Sequence, residues 1–189
     1  MSTTNQSISG NNNNLAGRDV NINNNFIDNI QKKSAIIAKV IAMLSSKMVN
    51  NVLETIDASV TPAIEEKIEY NNLVKYKPFI EKYVSYGGII ESICNGLDVD
   101  KPNSKTRMFE YIHSLYLLER GELYLKNAES VDVVKNNSDY IIDHIYLKLR
   151  SSLNECLGLD GIEEEDIHLG VTVLIVLAFI ECKILERPI

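Results

Sequence analysis

Tryptophan is absent from this chain, and its three cysteines, Cys94, Cys156 and Cys182, are widely spaced and odd in number. With no Cys-x-x-Cys pair, they suggest free, mostly buried thiols in a reducing compartment rather than a disulfide framework. Positive charge is also scarce. Lysine and arginine total 19 against 26 acidic residues, for a net charge of −7 and a pI of about 5.0. Such a surface repels phosphate backbones, so direct nucleic-acid binding through bulk electrostatics is not expected. Lys32, Lys33, Lys39 and Lys47 lie close together in the sequence, and they read as a solvated helix face.

Glycine-rich phosphate loops and dinucleotide fingerprints are missing, and no cofactor or metal is implied. The start, Met1 to Gln6, lacks a basic segment followed by an apolar stretch, so no signal peptide is expected and the expected location is cytoplasmic. The most apolar run, Gly170 to Ile180, is far short of the roughly 20 residues that cross a bilayer. It reads as a core helix. At 45% hydrophobic and 24% charged residues, the chain can bury a substantial core.

What the sequence does have in excess is asparagine at its start, with ten in the first thirty residues. Asparagine and glycine tolerate left-handed backbone and favour turns over helix. Ile8, Val20 and Ile22 set apolar residues among polar ones, as short strands do. One β-like rung cannot bury its own apolar side, but copies stacked from several protomers can, with amide ladders between them. Residues 1–25 are therefore expected to form an oligomerisation segment. Its candidate residues are Ile8, Gly10, Leu15, Gly17, Arg18, Asp19, Val20 and Ile22.

The remainder has helical periodicity. Ile37, Ile41, Leu44, Met48, Val52 and Ile56 recur at three- and four-residue steps, predicting a long connecting helix over 26–58. Ile36, Val40 and Met43 make its middle apolar on most sides, so it must be enclosed by its own domain or by another subunit. Residues 59–189 are expected to be an all-α, partner-binding domain. The spacing predicts helices from Pro62 to Asn71-Asn72, from Leu73 to Leu97 with breaks at Pro78 and Gly87-Gly88, and from Lys105 to Leu125. It predicts two more, from Asp132 to Leu157 with a break at Asn136-Asn137 and from Glu163 to Leu185. Met108, Ile112, Leu115 and Leu118 are assigned to the inner side of the third of these. The fold class is all-α, with about five or six helices after a β-like head.

Candidate chemistry is sparse. Glu65-Glu66-Lys67 and Glu181-Cys182-Lys183 match a triplet that metal-dependent nucleases carry on strands. Here both fall on predicted helices and read as solvated charge. Arg107 and His113 have the spacing of the Arg-x(4–6)-His motif of HEPN ribonucleases, where the pair polarises the scissile phosphate. Met108 follows the arginine, where that family commonly has a polar residue. Asp143-His144 could offer metal ligands, but adjacent helical residues point in different directions. Tyr76, Tyr83 and Tyr111 fit core-edge positions better than a base-stacking platform.

Two segments carry a resemblance to a known family: Glu66-Lys67-Ile68-Glu69-Tyr70-Asn71-Asn72-Leu73 and Ala178-Phe179-Ile180-Glu181-Cys182-Lys183-Ile184-Leu185-Glu186-Arg187-Pro188. Across roughly residues 60–189 the chain resembles the C-terminal helical domain of bacterial ABC-three-component conflict systems. The resemblance implies a domain that tethers an effector to a middle component and an SMC-like ATPase. Residues 1–58 leave no room for a nuclease, so an effector-less version is implied, with the asparagine-rich head in the effector's place. Gly17-Arg18-Asp19-Val20-Asn21-Ile22 is similar to segments at the start of other bacterial and phage conflict proteins. The expected function is a non-enzymatic assembly and adaptor subunit that self-associates and docks a protein partner. The alternative is a HEPN-like ribonuclease using Arg107 and His113.

Overall fold

The computed structural model describes residues 34–49 and 60–188, all within the second of the chain's two units, Gln31–Ile189. The head residues 1–25, with every candidate oligomerisation position, lie outside the described residues, as do Val52, Ile56 and the side chain of Met48. Among the described residues there is no strand. They form eight α-helices: α1 Ile36–Val49, α2 Pro62–Tyr70, α3 Lys77–Tyr83, α4 Gly87–Leu97, α5 Ser104–Lys126, α6 Val131–Asn136, α7 Ser138–Leu153 and α8 Glu164–Ile180. A 3-10 turn, Val84–Tyr86, joins α3 to α4.

Eight helices replace five or six because short turns divide two of the long periodic segments. Pro78 does not interrupt a helix but sits in the first turn of α3, where its missing N–H is no loss. The interruption falls at the 3-10 turn, and α4 begins at Gly87, where the second break was expected. At Asn136-Asn137 the chain divides as the sequence suggests. Ser130 starts α6 by accepting the Asp132 N–H at 3.1 Å, and Asn137 reaches back to the Val133 carbonyl at 2.8 Å. Gly121 does not end α5, which continues to Lys126.

The two helices at the quoted segments end in the same way. In α2, Asn72 is left-handed (φ 51°), with Leu73 N–H on the Ile68 carbonyl and Asn72 N–H on that of Glu69. In α8, Cys182 is left-handed (φ 53°), with Lys183 N–H on the Ala178 carbonyl and Cys182 N–H on that of Phe179. Each is a Schellman-type stop. It ends α8 at Ile180, before the Leu185 expected from periodicity.

The core is built around α8. Every residue from Gly170 to Phe179 is buried, and α1, α3, α5 and α7 pack around the helix. Glu164, Glu165 and Asp166 crowd its N-terminal turn, where the helix dipole favours carboxylates. No described helix is long and apolar enough to cross a membrane. The helix expected to act as a connector is part of this core, because α1 buries Ile37, Ala38, Val40, Ile41 and Leu44 against α8, α4 and α5. The two helices α1 and α8 are tightly apposed at Gly170, where a β-carbon would come within 2.9 Å of the Ile41 side chain.

The second and last helices are tied together through their polar residues. Lys67 is not solvated, as its triplet suggested; it is 4% exposed. Its ammonium donates to the carbonyls of Phe179 and Ile184 and lies 4.3 Å from the centre of the Phe179 ring. Burial pushes this amine below the ordinary lysine range, while the neighbouring Cys182 opposes the shift. Asn71, fully buried, donates to the Glu186 carbonyl at 2.8 Å and accepts the Glu186 N–H at 2.9 Å. Two segments more than a hundred residues apart thus form one clasp. The other triplet lies in the turn after α8, where Glu181 pairs with Lys105 and Lys183 with Glu110.

Candidate functional site

Helices α5 and α7 run antiparallel, and their seam is marked by a buried carboxylate. Glu119 of α5 is 4% exposed and meets His144 at 3.1 Å and Lys148 at 2.5 Å, both from α7. His144 and Lys148 are one turn apart, so both reach the same partner from one side of the helix. A buried charge needs such partners to be tolerated.

With each residue advancing about 100° around a helix, the seam fixes which side chains point outward. On α5, Tyr111, Leu118 and Leu125 recur every seven residues and lie roughly 80–120° from Glu119, on the solvent side. On α7, Tyr140 and Leu147 lie a similar angle from Lys148, turned to the same side. All five are exposed, with Leu118 at 59%, Leu147 at 61% and Leu125 at 82%. The result is one two-helix face with large apolar side chains in water. Scattered exposed apolar residues are ordinary, but their regular recurrence on one side of two neighbouring helices is a mark of docking.

Charge is distributed unevenly along this face. At one end lie Lys101 and Arg107, with Glu155, around a cavity of about 740 Å³ that extends to Lys148. Its floor is apolar, including Ile37, Met108 and Leu153. At the other end, near the termini of α5 and α6, the exposed acids are Glu122, Glu129 and Asp132, beside Lys126. Among the described residues, neither Lys101 nor Arg107 forms an ion pair, and nor do these three acids.

The sequence assigned Leu118 to the inner side, and the structure corrects this. The inward series is Met108, Ile112, Leu115, Glu119 and Leu123, all buried. A glutamate occupies the core position where hydrophobic stepping looks for an apolar residue, so the pattern passed to its neighbour Leu118. The seven-residue spacing of 111, 118 and 125 was the available signal for the face. Tyr76 and Tyr83 sit at the core edge as expected, whereas Tyr111 stands on the open face.

Arg107 and His113 are not brought together within the chain. Their spacing places them about 120° apart around α5. Arg107 lines the cavity on the outer side. His113 is half-buried on another side and donates its Nδ1–H to the Lys183 carbonyl at 2.5 Å, anchoring the C-terminal segment. Asp143 and His144 also diverge: Asp143 accepts from Lys75 and from the Tyr76 hydroxyl at 2.6 Å, and His144 turns to Glu119. No group of three or more His, Cys, Asp or Glu residues suited to a metal ion occurs among the described residues. Among the described residues no cysteine is in a disulfide: Cys94 and Cys156 are buried and Cys182 is half-buried.

No protein-family model matches the chain, and no curated protein or solved structure matches it either.

Proposed function

We propose that this protein is a non-enzymatic assembly and adaptor subunit of a bacterial or phage conflict system, acting in the cytoplasm. Its copies associate, and the assembled body docks a protein partner through helical faces. The carrying observation is the exposed apolar face of α5 and α7, which has the character of a protein-binding surface. The clasp adds support, because the two segments resembling the ABC-three-component helical domain hold one another through Lys67 and Asn71. The partner in that reading is a middle component or an SMC-like ATPase. The asparagine-rich segment 1–25 contributes to self-association.

Light scattering on the full chain and on a chain lacking residues 1–25 tests this. The expected result is an oligomer for the full chain and a smaller species for the shortened one. A full chain that stays monomeric at high concentration would contradict the proposal.

A further inference from the structure

We infer that the open face of α5 and α7 is covered by the same face of a second copy, related by a two-fold axis through Leu118 and Leu147. The inference rests on the assembly reading and gives it a location in the helical body, separate from the head. Three observations carry it.

The first is spacing. Seven-residue recurrence on two neighbouring helices suits helix-on-helix packing between long, nearly aligned helices. The second is self-complementarity. Tyr111 and Leu125 lie seven residues to either side of Leu118. A two-fold axis at Leu118 therefore lays each Tyr111 over the partner's Leu125 and brings the two Leu118 side chains together. Because α7 is antiparallel to α5, Leu147 lies at the same level as Leu118 and also meets its own copy. Such an isologous contact closes on itself and leaves no unfilled apolar patch to recruit further copies.

The third is charge. The same rotation lays Arg107, eleven residues before Leu118, at the level of Glu129, eleven residues after it. In a chain of net charge −7, an arginine without an ion pair among the described residues, opposite a glutamate likewise without one, favours this antiparallel register over a parallel one. The product is a four-helix layer, with α5 and α7 from each copy.

The test uses the full chain. A cysteine at the axis (Leu118→Cys) is expected to give a disulfide-linked dimer under mild oxidation at micromolar concentration. Val99→Cys, still more exposed but in the turn between α4 and α5, and the parent chain are not. In parallel, one chain carries Lys101→Glu with Arg107→Glu, and another carries Glu122→Lys with Glu129→Lys. Each alone is expected to associate at least tenfold more weakly than the parent, and an equimolar mixture to recover association.

If Leu118→Cys cross-links no better than Val99→Cys while light scattering still reports oligomers, the two-fold face is wrong and the assembly reading survives. A parent chain that is monomeric throughout overturns both. A mixture that associates no better than its components overturns the antiparallel register.

Discussion

Helices α8 and α5 are both long and leucine-bearing, yet they use their apolar residues in opposite ways. In α8 the apolar side chains cover the whole circumference over two to three turns, and the rest of the fold encloses them. In α5 one side is buried, a second holds the C-terminal segment through His113 and Tyr116, and a third presents Tyr111, Leu118 and Leu125 to water. Leu174 and Leu118 are the same residue type in the same kind of element. The first is fixed by its neighbours within the chain, and the second has no such neighbours. Apolar content alone therefore says little about role. What separates the two is whether the chain supplies the covering surface.

The sharpest way to test this contrast is to truncate one leucine from each helix. Leu174→Ala is expected to lower unfolding free energy by about 2–5 kcal/mol in urea titrations, through lost burial and the cavity left behind. Leu118→Ala should change it by less than about 0.5 kcal/mol. Equal losses at both positions would erase the distinction.

The clasp belongs with α8 in this comparison. Asn71→Ala removes both hydrogen bonds to the Glu186 backbone in a buried setting, and a loss of about 2 kcal/mol is expected. Hydrogen exchange should show the Glu186 amide losing protection in that variant, while amides in the middle of α7 follow only the global change. At the contact between α1 and α8, Gly170→Ala forces Ile41 to shift and should lower stability by about 1 kcal/mol.

A smaller effect appears at alkaline pH. Burial, and then the carboxylate of Glu186, hold the Tyr116 phenol above its ordinary range; burial and then Asp143 do the same for Tyr76. An acid whose folded pKa is raised contributes stability that is complete below its unfolded pKa. That contribution is lost as pH rises through the interval above it. Unfolded tyrosine ionises near pH 10, so stability is expected to fall with pH above about 10. Tyr116→Phe should flatten that slope, and an unchanged slope would show that the phenol does not govern it.

Much of the body could be read in the sequence because hydrophobic stepping and helix-stopping residues reported the same physics that folds it. Ile141, Ile145, Leu149 and Leu153 are buried as the four-residue steps require, and Asn72 stops α2 where an asparagine can turn left-handed. The stop at Cys182 was hidden, since cysteine carries no such preference and only the carbonyls of Ala178 and Phe179 reveal the turn. Lys67 was misread as solvated because a buried lysine is marked by its acceptors, two main-chain carbonyls contributed from residues far away in sequence. The outer face was obscured by Glu119. Its burial depends on His144 and Lys148, a pairing that exists only once α5 and α7 are side by side. The candidate residues of the head, Ile8 to Ile22, lie outside the described residues.

In the proposed assembly the exposed leucines of α5 and α7 serve association rather than folding. The most direct measurement is light scattering of the full chain carrying Leu118→Glu with Leu147→Glu, alongside its thermal unfolding. A lower mass than the parent at the same concentration is expected, with an unchanged melting temperature and unchanged helical circular dichroism. The parent's mass retained in the double variant would contradict it.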